Sequence, residues 1–502
     1  MKRLVRLAPS LAFALLLATP GRAIGPEASA LVRQSEADLT EDPARALKSG
    51  DQAVRADPSV KGGQLARARA LAALGRAADA GAAYRLAIAA DPTDKEAVIG
   101  LARAERQLGH ADQAIGLLDP LLTADDAGAA RFERAMAFAA AEQPEKALAD
   151  YDRVIATSPS AAALYNRGWV LHGLERYDKA LADFEQAQKL DPTDVDTLNA
   201  LGQTLAALQR DEEALTWLDA ALAINPSSEQ PLIGRADALF NLDRWPAAAL
   251  AYRAARKLQP KHAGLAVMEG RSLRKMGETK AALAAYGDAI RLDPKSTDGL
   301  TYRAEMLAER GETEKALADL NRAAAMAPAD AAILVQRAYL YRKVGEAAAA
   351  RADADKALRI DPKHTPALNA LGLIRSDEDA YVEAVAAFDL ALAIDPDMEI
   401  AYYNRGNAYV SLARYDRAIR DYNQSLRLAP GDAQTLTAKG EAYRLIDDDI
   451  RAIEEFSAAI KSDPTLALAY WRRALSLKAI GDESAAATDR AQALKLDPDL
   501  ES

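Results

Sequence analysis

The sequence contains no cysteine among its 502 residues and only four histidines. Without thiols there are no disulfides, thiolate zinc sites, iron–sulfur clusters or cysteine nucleophiles. Four histidines in so long a chain also argue against a multi-histidine metal centre. Aromatic residues make up 6% of the chain, although hydrophobic residues make up 50%. The core must therefore be built from small and aliphatic side chains, which requires helices that pack closely.

Catalytic motifs are missing as well. The sequence has no HExxH zinc motif, no glycine-rich phosphate loop and no Gly-x-Ser-x-Gly elbow. His262 and His364 lie three repeats apart in equivalent loops, so their recurrence reflects loop placement and not a pair of ligands. We therefore predict that the protein is not an enzyme and that it holds no cofactor and no metal.

The net charge is −11. A surface this acidic repels nucleic acid and anionic lipid unless a basic patch is segregated on it. We predict no nucleic-acid partner.

Residues 1–23 have the features of a secretory signal peptide. Basic residues begin the segment, an apolar stretch runs from Leu11 to Ala18, and Pro20 and Gly21 then interrupt the helix, with cleavage expected after Ala23. An uncleaved signal anchor is the alternative, although the stretch is short for a membrane span. No other long apolar run follows, so we predict a periplasmic or secreted protein without stable membrane insertion after cleavage.

Proline marks an internal repeat. One proline recurs about every 34 residues over the second half of the chain and most of the first. The prolines in unbroken register are Pro192, Pro226, Pro260, Pro294, Pro328, Pro362, Pro396, Pro430, Pro464 and Pro498. Pro58, Pro92 and Pro159 continue the series upstream, with Asp126 where one proline is due. The mature chain therefore consists of about 14 units, which leaves no room for a separate catalytic domain.

Each unit has the pattern of a helical hairpin. When the closing proline is numbered 32, position 8 is Gly or Ala from the second unit onward, position 20 is Ala in every unit, and position 24 is mostly bulky, as in Phe184. Apolar residues at spacings of three and four define two helical stripes, and Gly at position 15 in several units marks the turn between them. Small residues at positions 8 and 20 should let the two helices approach closely, while the ring at position 24 fills the gap between hairpins. Proline at position 32 should end the second helix.

These residues resemble the tetratricopeptide repeat (TPR) family over roughly residues 25–498. The resemblance implies an all-α, right-handed superhelical solenoid of about 14 TPR hairpins, in which the first helix of each hairpin lines a concave groove. We divide the chain into a signal peptide (1–23), divergent units 1–3 (25–126) and one continuous array of units 4–14 (127–498). Pro120 should shorten and kink the second helix of unit 3, and Ala354 removes a ring from position 24.

The groove implied by the family points to positions 2, 5, 6, 9, 12 and 13 of each unit. Amides, guanidinium groups and rings at these positions suit an extended peptide, because they pair with backbone and carboxylate and cover side chains. Ordinary solvated helix faces are the alternative interpretation. The candidate partner-binding residues are Tyr165, Asn166, Trp169, His172, Arg271, Arg274, Lys275, Tyr339, Arg342, Lys343, Tyr403, Asn404, Asn407, Glu441, Arg444, Trp471, Arg472 and Lys478.

One specialised form of groove is not expected. Chaperone-binding members of the family carry a carboxylate clamp of Lys, Asn and Arg at positions 2 and 6 of three consecutive units. Here Asn404 is followed by Ala438 and Arg472, while Ile400 and Leu468 stand where Lys belongs. We predict no Hsp70/Hsp90-type carboxylate clamp.

The sequence thus favours a non-enzymatic scaffold of the bacterial cell envelope that binds partner proteins or peptides in its groove. The alternative is an accessory glycan-binding subunit of a polysaccharide processing or export system, which would hold sugar against Trp169, Trp471 and the tyrosines.

Overall fold

The computed structural model describes residues 26–123 and 128–501. These ranges contain 28 α-helices and two short 3₁₀ segments, and no strand. The predicted signal peptide and Asp126 lie outside the described residues. The all-α prediction is confirmed for the part of the chain that is described.

The described residues divide into two compact units, one that ends at Arg244 and one that begins at Trp245. The helices of the first unit are α1 (Pro26–Asp38), α2 (Pro43–Ala56), α3 (Gly63–Ala73), α4 (Ala77–Ala90), α5 (Lys95–Gln107), α6 (Ala111–Leu118), α7 (Gly128–Ala140), α8 (Pro144–Thr157), α9 (Ala161–Gly173), α10 (Tyr177–Leu190), α11 (Val195–Ala207), α12 (Asp211–Ile224) and α13 (Glu229–Asn241).

The second unit continues the same alternation of helices. Its helices are α14 (Trp245–Leu258), α15 (Ala263–Lys275), α16 (Thr279–Leu292), α17 (Asp298–Glu309), α18 (Thr313–Met326), α19 (Ala331–Lys343), α20 (Ala347–Ile360), α21 (Thr365–Asp377), α22 (Tyr381–Ile394), α23 (Glu399–Ser411), α24 (Tyr415–Leu428), α25 (Ala433–Arg444), α26 (Asp449–Ser462), α27 (Ala467–Ala479) and α28 (Glu483–Leu496).

The boundary between these units, at residues 244/245, differs from the boundary at residues 126/127 that was drawn from the sequence. The boundary at 126/127 marks a change in the regularity of the repeats, and it stays a prediction. The boundary at 244/245 separates α13 from α14, the two helices of the seventh repeat.

The repeat proline sets the length of the second helices. Apart from α6, each second helix has 14 residues and ends two residues before the proline, as α10 ends at Leu190 before Pro192. The residue between them, Asp191, is extended (φ −136°, ψ 89°), because proline disfavours helix in the residue before it. Its side chain then accepts the N–H of Thr193 at 3.2 Å, which fixes the loop to the next hairpin.

A residue with positive φ stands at position 15, just after the end of the first helix, in each of the second to fourteenth hairpins. The six glycines predicted there have φ between 71° and 86°, which confirms the sequence prediction. The hydrogen bonds are those of a Schellman cap: in the fifth hairpin the N–H of Arg176 donates to the carbonyl of Leu171 at 2.9 Å. Seven hairpins form the same cap without glycine, and these residues have φ between 53° and 60°: Glu142, Glu175, Gln209, Asp243, Asp379, Ala413 and Asp447.

The small residues at positions 8 and 20 let the two helices of a hairpin approach. Ala180 is fully buried, and the ring of Phe184 lies directly on Gly168, where an added Cβ would be 2.6 Å from a ring carbon. The sequence analysis placed the position-24 ring between hairpins. The structure shows that it also fills the space within its own hairpin, while it shares a core with Leu201 of the next one.

Pro120 shortens the second helix of the third repeat, as predicted from the sequence, while the predicted kink stays a prediction. The second helix of the third repeat, α6, has only 8 residues and ends at Leu118. A 3₁₀ segment, Asp119–Thr123, follows it. The missing N–H of the proline removes the hydrogen bond that would have continued the helix.

The first helices define the inner side of each unit. Consecutive first helices contact one another directly, as α19 contacts α21 and α21 contacts α23, whereas such contact between consecutive second helices is marginal at most in the described residues. We call the surface formed by the first helices of a unit its inner surface. None of the helices in the described ranges is long and apolar enough to cross a membrane.

Candidate binding surface

An ion-pair ladder that the sequence analysis missed joins the two helices of six hairpins in the described ranges, and in three of these it also reaches the preceding hairpin. The guanidinium of Arg167, at position 7 on α9, donates to both oxygens of Asp183 at 2.6 and 2.7 Å on α10 of the same hairpin. It also donates to Asp152 of the preceding hairpin at 2.7 Å. Asp183 is buried, and its hydrogen bonds to the Arg167 guanidinium raise the pKa of that guanidinium, so Arg167 keeps its charge.

The ladder recurs at a fixed spacing. Arginine at position 7 and aspartate at position 23 are 16 residues apart, and this spacing is the signal in the sequence that could have revealed them. The other bidentate or nearly bidentate pairs are Arg134–Asp150, Arg303–Asp319, Arg337–Asp353, Arg405–Asp421 and Arg473–Asp489. In these hairpins, position 7 of the first helix is therefore occupied in holding that helix to the second one.

In the first unit, three of the candidate residues form one aromatic cluster on α9. The ring centroid of Trp169 lies 6.2 Å from that of Tyr165 and 5.1 Å from that of His172. Tyr177, the first residue of α10, closes the cluster at 5.0 Å from His172. The fourth candidate, Asn166, donates its amide to the carbonyl of Ala162 at 2.8 Å, within its own helix.

A cavity of about 550 Å³ adjoins this cluster between the fourth and fifth hairpins. Met136, Pro144, Trp169 and Val170 give it a largely apolar lining. His172 stands beside it, and burial lowers the pKa of its imidazole. Its Nε2 is buried and has no hydrogen-bond partner among the described residues. This part of the inner surface suits an apolar side chain.

In the second unit, the basic candidates on α15 are engaged with neighbouring hairpins. Arg274 forms ion pairs with Glu305 and Glu309 of α17 at 2.5 Å each. The guanidinium of Arg271 lies 5.2 Å from the ring centre of Tyr302, and the ammonium of Lys275 lies 5.8 Å from the ring centre of Trp245. The charge of this segment is therefore partly neutralised, which the sequence pattern did not indicate.

The candidates on α19 and α23 meet through a residue that the sequence analysis did not select. The amide of Asn369, on α21, donates to the hydroxyl of Tyr339 at 3.0 Å, and its oxygen accepts the amide of Asn404 at 3.0 Å. Asn404 and Asn369 are both buried. Asn404 therefore ties hairpins together, whereas the sequence analysis placed it in an exposed groove.

Four candidates come together in a second cavity on the inner surface of α23, α25 and α27. Tyr403, Asn407, Glu441 and Arg472 line a space of about 420 Å³ that spans three consecutive hairpins. We call it the C-terminal pocket.

Its polar groups are held in place. The hydroxyl of Tyr422 donates to Asn407 at 2.7 Å, and burial raises the pKa of this phenol, so it remains a donor. Arg472 and Arg444 both donate to Oε1 of Glu441 at 2.7 Å. The pocket thus presents a fixed amide and a shared carboxylate beside an aromatic wall.

The remaining candidates lie elsewhere. Trp471 and Lys478 line a separate cavity of about 520 Å³ on α27 and α28, where the guanidinium of Arg490 lies 5.5 Å from the Trp471 ring centre. Arg342 pairs with Asp377 of α21, and Lys343 is exposed. The candidates therefore form several separate sites along the two units.

His262 and His364 have a structural role at the N-termini of two first helices. His262 and His364 are the N-cap residues of α15 and α21, and their Nδ1 atoms accept the N–H of Leu265 at 3.3 Å and of Ala367 at 3.2 Å. Aspartate caps the same position in other hairpins, as Asp194 does at the start of α11. Their recurrence is thus explained by the loop, as the sequence analysis proposed.

Family models with the description "Tetratricopeptide repeat" match the chain at residues 40–95, 71–137, 161–194, 195–228, 267–331, 335–399 and 400–432. Together these matches cover well over half of the sequence. The chain belongs to the tetratricopeptide repeat family. Tetratricopeptide repeats are in general non-catalytic scaffolds for protein interaction, and proteins that contain them bind protein partners. No curated protein matches the chain in sequence.

Solved structures with TPR folds are similar to this chain at low identity. A hetero-tetramer of Cut9 and Hcn1 from the APC/C matches with 16% identity and a TM-score of 0.46, over 90% of this chain and 97% of that chain. A tetratricopeptide repeat protein from Parabacteroides merdae matches with 23% identity and a TM-score of 0.44, over 50% of this chain and 100% of that chain. Yeast Tom70 matches with 15% identity and a TM-score of 0.41, over 74% of this chain and 92% of that chain.

Proposed function

We propose that this TPR protein is a non-enzymatic scaffold of the bacterial cell envelope, exported by its N-terminal segment, which binds extended segments of partner proteins on its inner surface. The C-terminal pocket is the observation that carries this proposal. It brings Tyr403 and Asn407 of one hairpin together with Glu441 and Arg472 of the next two, around a volume of about 420 Å³ that suits a short peptide segment.

The chemistry of the pocket fits a peptide. The amide of Asn407 can pair with a backbone group, and Arg472 retains donor capacity beyond its bond to Glu441 because a guanidinium has five N–H groups. The ring of Tyr403 supplies an apolar surface for a side chain. Glu441, held between two arginines, keeps the donors oriented before a ligand arrives.

The test is photocrosslinking in the native envelope. A benzoylphenylalanine at position 407 should yield adducts with one or a few partner proteins. The matched control places the same group at position 420, an exposed residue of the second helix α24. Arg472→Gln should lower the yield at position 407, because it removes a donor from the pocket while the helix stays intact.

The outcomes separate the competing functions. Protein adducts at position 407 alone support the proposal. A polysaccharide adduct would support the alternative of a glycan-binding subunit and contradict peptide binding. Equal adducts at positions 407 and 420, or none at either, would show that the inner surface is not the binding site.

A further inference from the structure

The tenth hairpin lacks both of the rings that several other hairpins place on their second helix. Position 24 of α20 is Ala354, and position 17, its first residue, is Ala347. The hairpins that carry a ring at position 17 do so with Tyr177, Trp245, Tyr381 and Tyr415.

The ring at position 17 covers part of the inner surface where it is present. The ring of Tyr177 contacts His172 of its own hairpin, and the ring of Trp245 lies under Lys275 of the next one. The missing position-24 ring is compensated, because Tyr341 and Leu371 pack against the small core that contains Ala354. The missing position-17 ring leaves open space.

This space is a cavity of about 570 Å³ between the tenth and eleventh hairpins, which we call the ring-deficient cavity. Its floor is apolar, since Ala350 and Ile374 are both buried. Ala347 and Tyr339 form its walls. The volume lies within the range of cavities that bind ligands.

The rim of the ring-deficient cavity is basic. Arg342 is paired with Asp377, but no carboxylate lies within ion-pair distance of Lys343 among the described residues. Val344, next to Lys343, is 45% exposed. An occupant therefore needs an apolar group for the floor and a negative charge for Lys343.

We propose that the ring-deficient cavity takes an aromatic side chain from an acidic segment of a partner protein, so that the partner supplies the ring that this hairpin lacks. An aromatic ring fills such a site with large apolar area at little conformational cost. A neighbouring carboxylate pairs with Lys343. The inference rests on the proposed function, since it specifies one class of segment that the inner surface binds.

The test fills the cavity with a side chain of the protein itself. Ala347→Tyr restores the ring at position 17, and Thr313→Tyr places the same ring at the same position of the ninth hairpin, as the first residue of α18. The probe is a fluorescein-labelled peptide, Gly-Ser-Asp-Phe-Asp-Ser-Gly, titrated by fluorescence anisotropy. We expect binding by the wild type, at least tenfold weaker binding by Ala347→Tyr, and unchanged binding by Thr313→Tyr.

Changes in the peptide test the same idea without altering the protein. Replacement of the phenylalanine by alanine should abolish binding, and replacement of both aspartates by asparagine should weaken it about threefold. Lys343→Gln should cause a similar loss and should remove the difference between the acidic and the amide peptide. Circular dichroism and melting of each variant verify that the hairpins remain folded.

Three results would overturn the inference: equal affinity of the wild type and Ala347→Tyr, equal losses in Ala347→Tyr and Thr313→Tyr, or no preference for phenylalanine over alanine. If any of these occurs while crosslinks at position 407 persist, only the ring-deficient cavity is wrong. If the crosslinks at position 407 are also absent, the proposed function fails with it.

Discussion

At the residue scale, position 15 shows how a single backbone conformation is imposed by the repeat. Six hairpins place glycine there, and the sequence pattern predicted the helix ends at these residues. Seven others place Glu, Gln, Asp or Ala in the same left-handed conformation. The residue types in these seven turns do not indicate the left-handed conformation, because the packing of the two flanking helices enforces it.

Ala413 offers a direct test of this strain. Its φ is 53°, and a left-handed conformation costs a residue with a Cβ roughly 1–2 kcal/mol. Ala413→Gly should therefore stabilise the twelfth hairpin by about 1 kcal/mol, after the larger entropy of glycine in the unfolded chain is subtracted. Hydrogen exchange of the α23 amides and the urea unfolding midpoint measure the effect.

The matched control is Gly345→Ala. Gly345 has a φ of 80°, and a Cβ there would meet no atom within 4 Å, so the change adds backbone strain without a clash. It should destabilise its hairpin by a similar amount. Loss of stability in Ala413→Gly, or none in Gly345→Ala, would contradict the argument.

At the scale of the elements, the Arg–Asp ladder fixes the first helix of a hairpin against its second helix, and at Arg405 it also joins the hairpin to the preceding one. Asp421 is 6% exposed and accepts two bonds from Arg405 at 2.7 Å, while Arg405 also reaches Asp389 of the preceding hairpin. The hairpin itself was predictable, since the apolar periodicity is local. The apolar periodicity does not indicate the ladder, whose partners lie on two helices; the 16-residue spacing of arginine and aspartate is the signal for it.

Breaking the ladder from one side should be costly. Arg405→Met leaves the buried Asp421 without its cation, and the loss of one partner of a buried pair costs about 3 kcal/mol. The double variant Arg405→Met with Asp421→Leu should recover most of that stability, because no buried charge is left unpaired. Urea unfolding followed by circular dichroism compares the two.

The exposed pair Arg210–Glu213 provides the control. Solvent screens it, so Arg210→Met should leave the unfolding midpoint nearly unchanged. An equally large loss there, or no recovery in the double variant, would show that the ladder does not act through a buried charge.

The candidate site was only partly predictable at this same scale. Positions 5, 6 and 9 did lead to Tyr403, Arg472 and Asn407 in the C-terminal pocket. Asn404 and Arg274, by contrast, are occupied by Asn369 and by two glutamates of adjacent hairpins. Whether the side chain of a groove residue is available to a ligand depends on its hydrogen bonds and ion pairs with adjacent repeats. A pattern within one repeat does not predict those contacts.

At the scale of the whole molecule, the repeat period predicts the helices but not how they group into compact units. The period of about 34 residues predicted the number and type of helices throughout, because each repeat is one local hairpin that stacks on its neighbours. The two compact units, divided within the seventh repeat, have no counterpart in that period. The leader and its effect on location stay a prediction.

Export is tested on the whole chain. When the full-length gene is expressed in a Gram-negative host, the protein should be recovered from the periplasm with Ile24 as its first residue. Removal of residues 1–23 should retain it in the cytoplasm with its helicity unchanged. Fractionation with N-terminal sequencing checks both results. A membrane-bound form that begins at Met1 would support an uncleaved anchor, and a cytoplasmic full-length form would contradict export.

The direct contacts between successive first helices have a mechanical consequence. Because the second helices of neighbouring hairpins make little contact with each other, bending within a unit changes the gaps between them while each second helix keeps its packing against the first helix of the next hairpin. The pivot of such bending runs along the first helices, where the pockets lie. If the proposed function is correct, we expect a partner that binds two pockets of one unit to set the curvature of that unit, and tension applied to the unit to act on the bound segment.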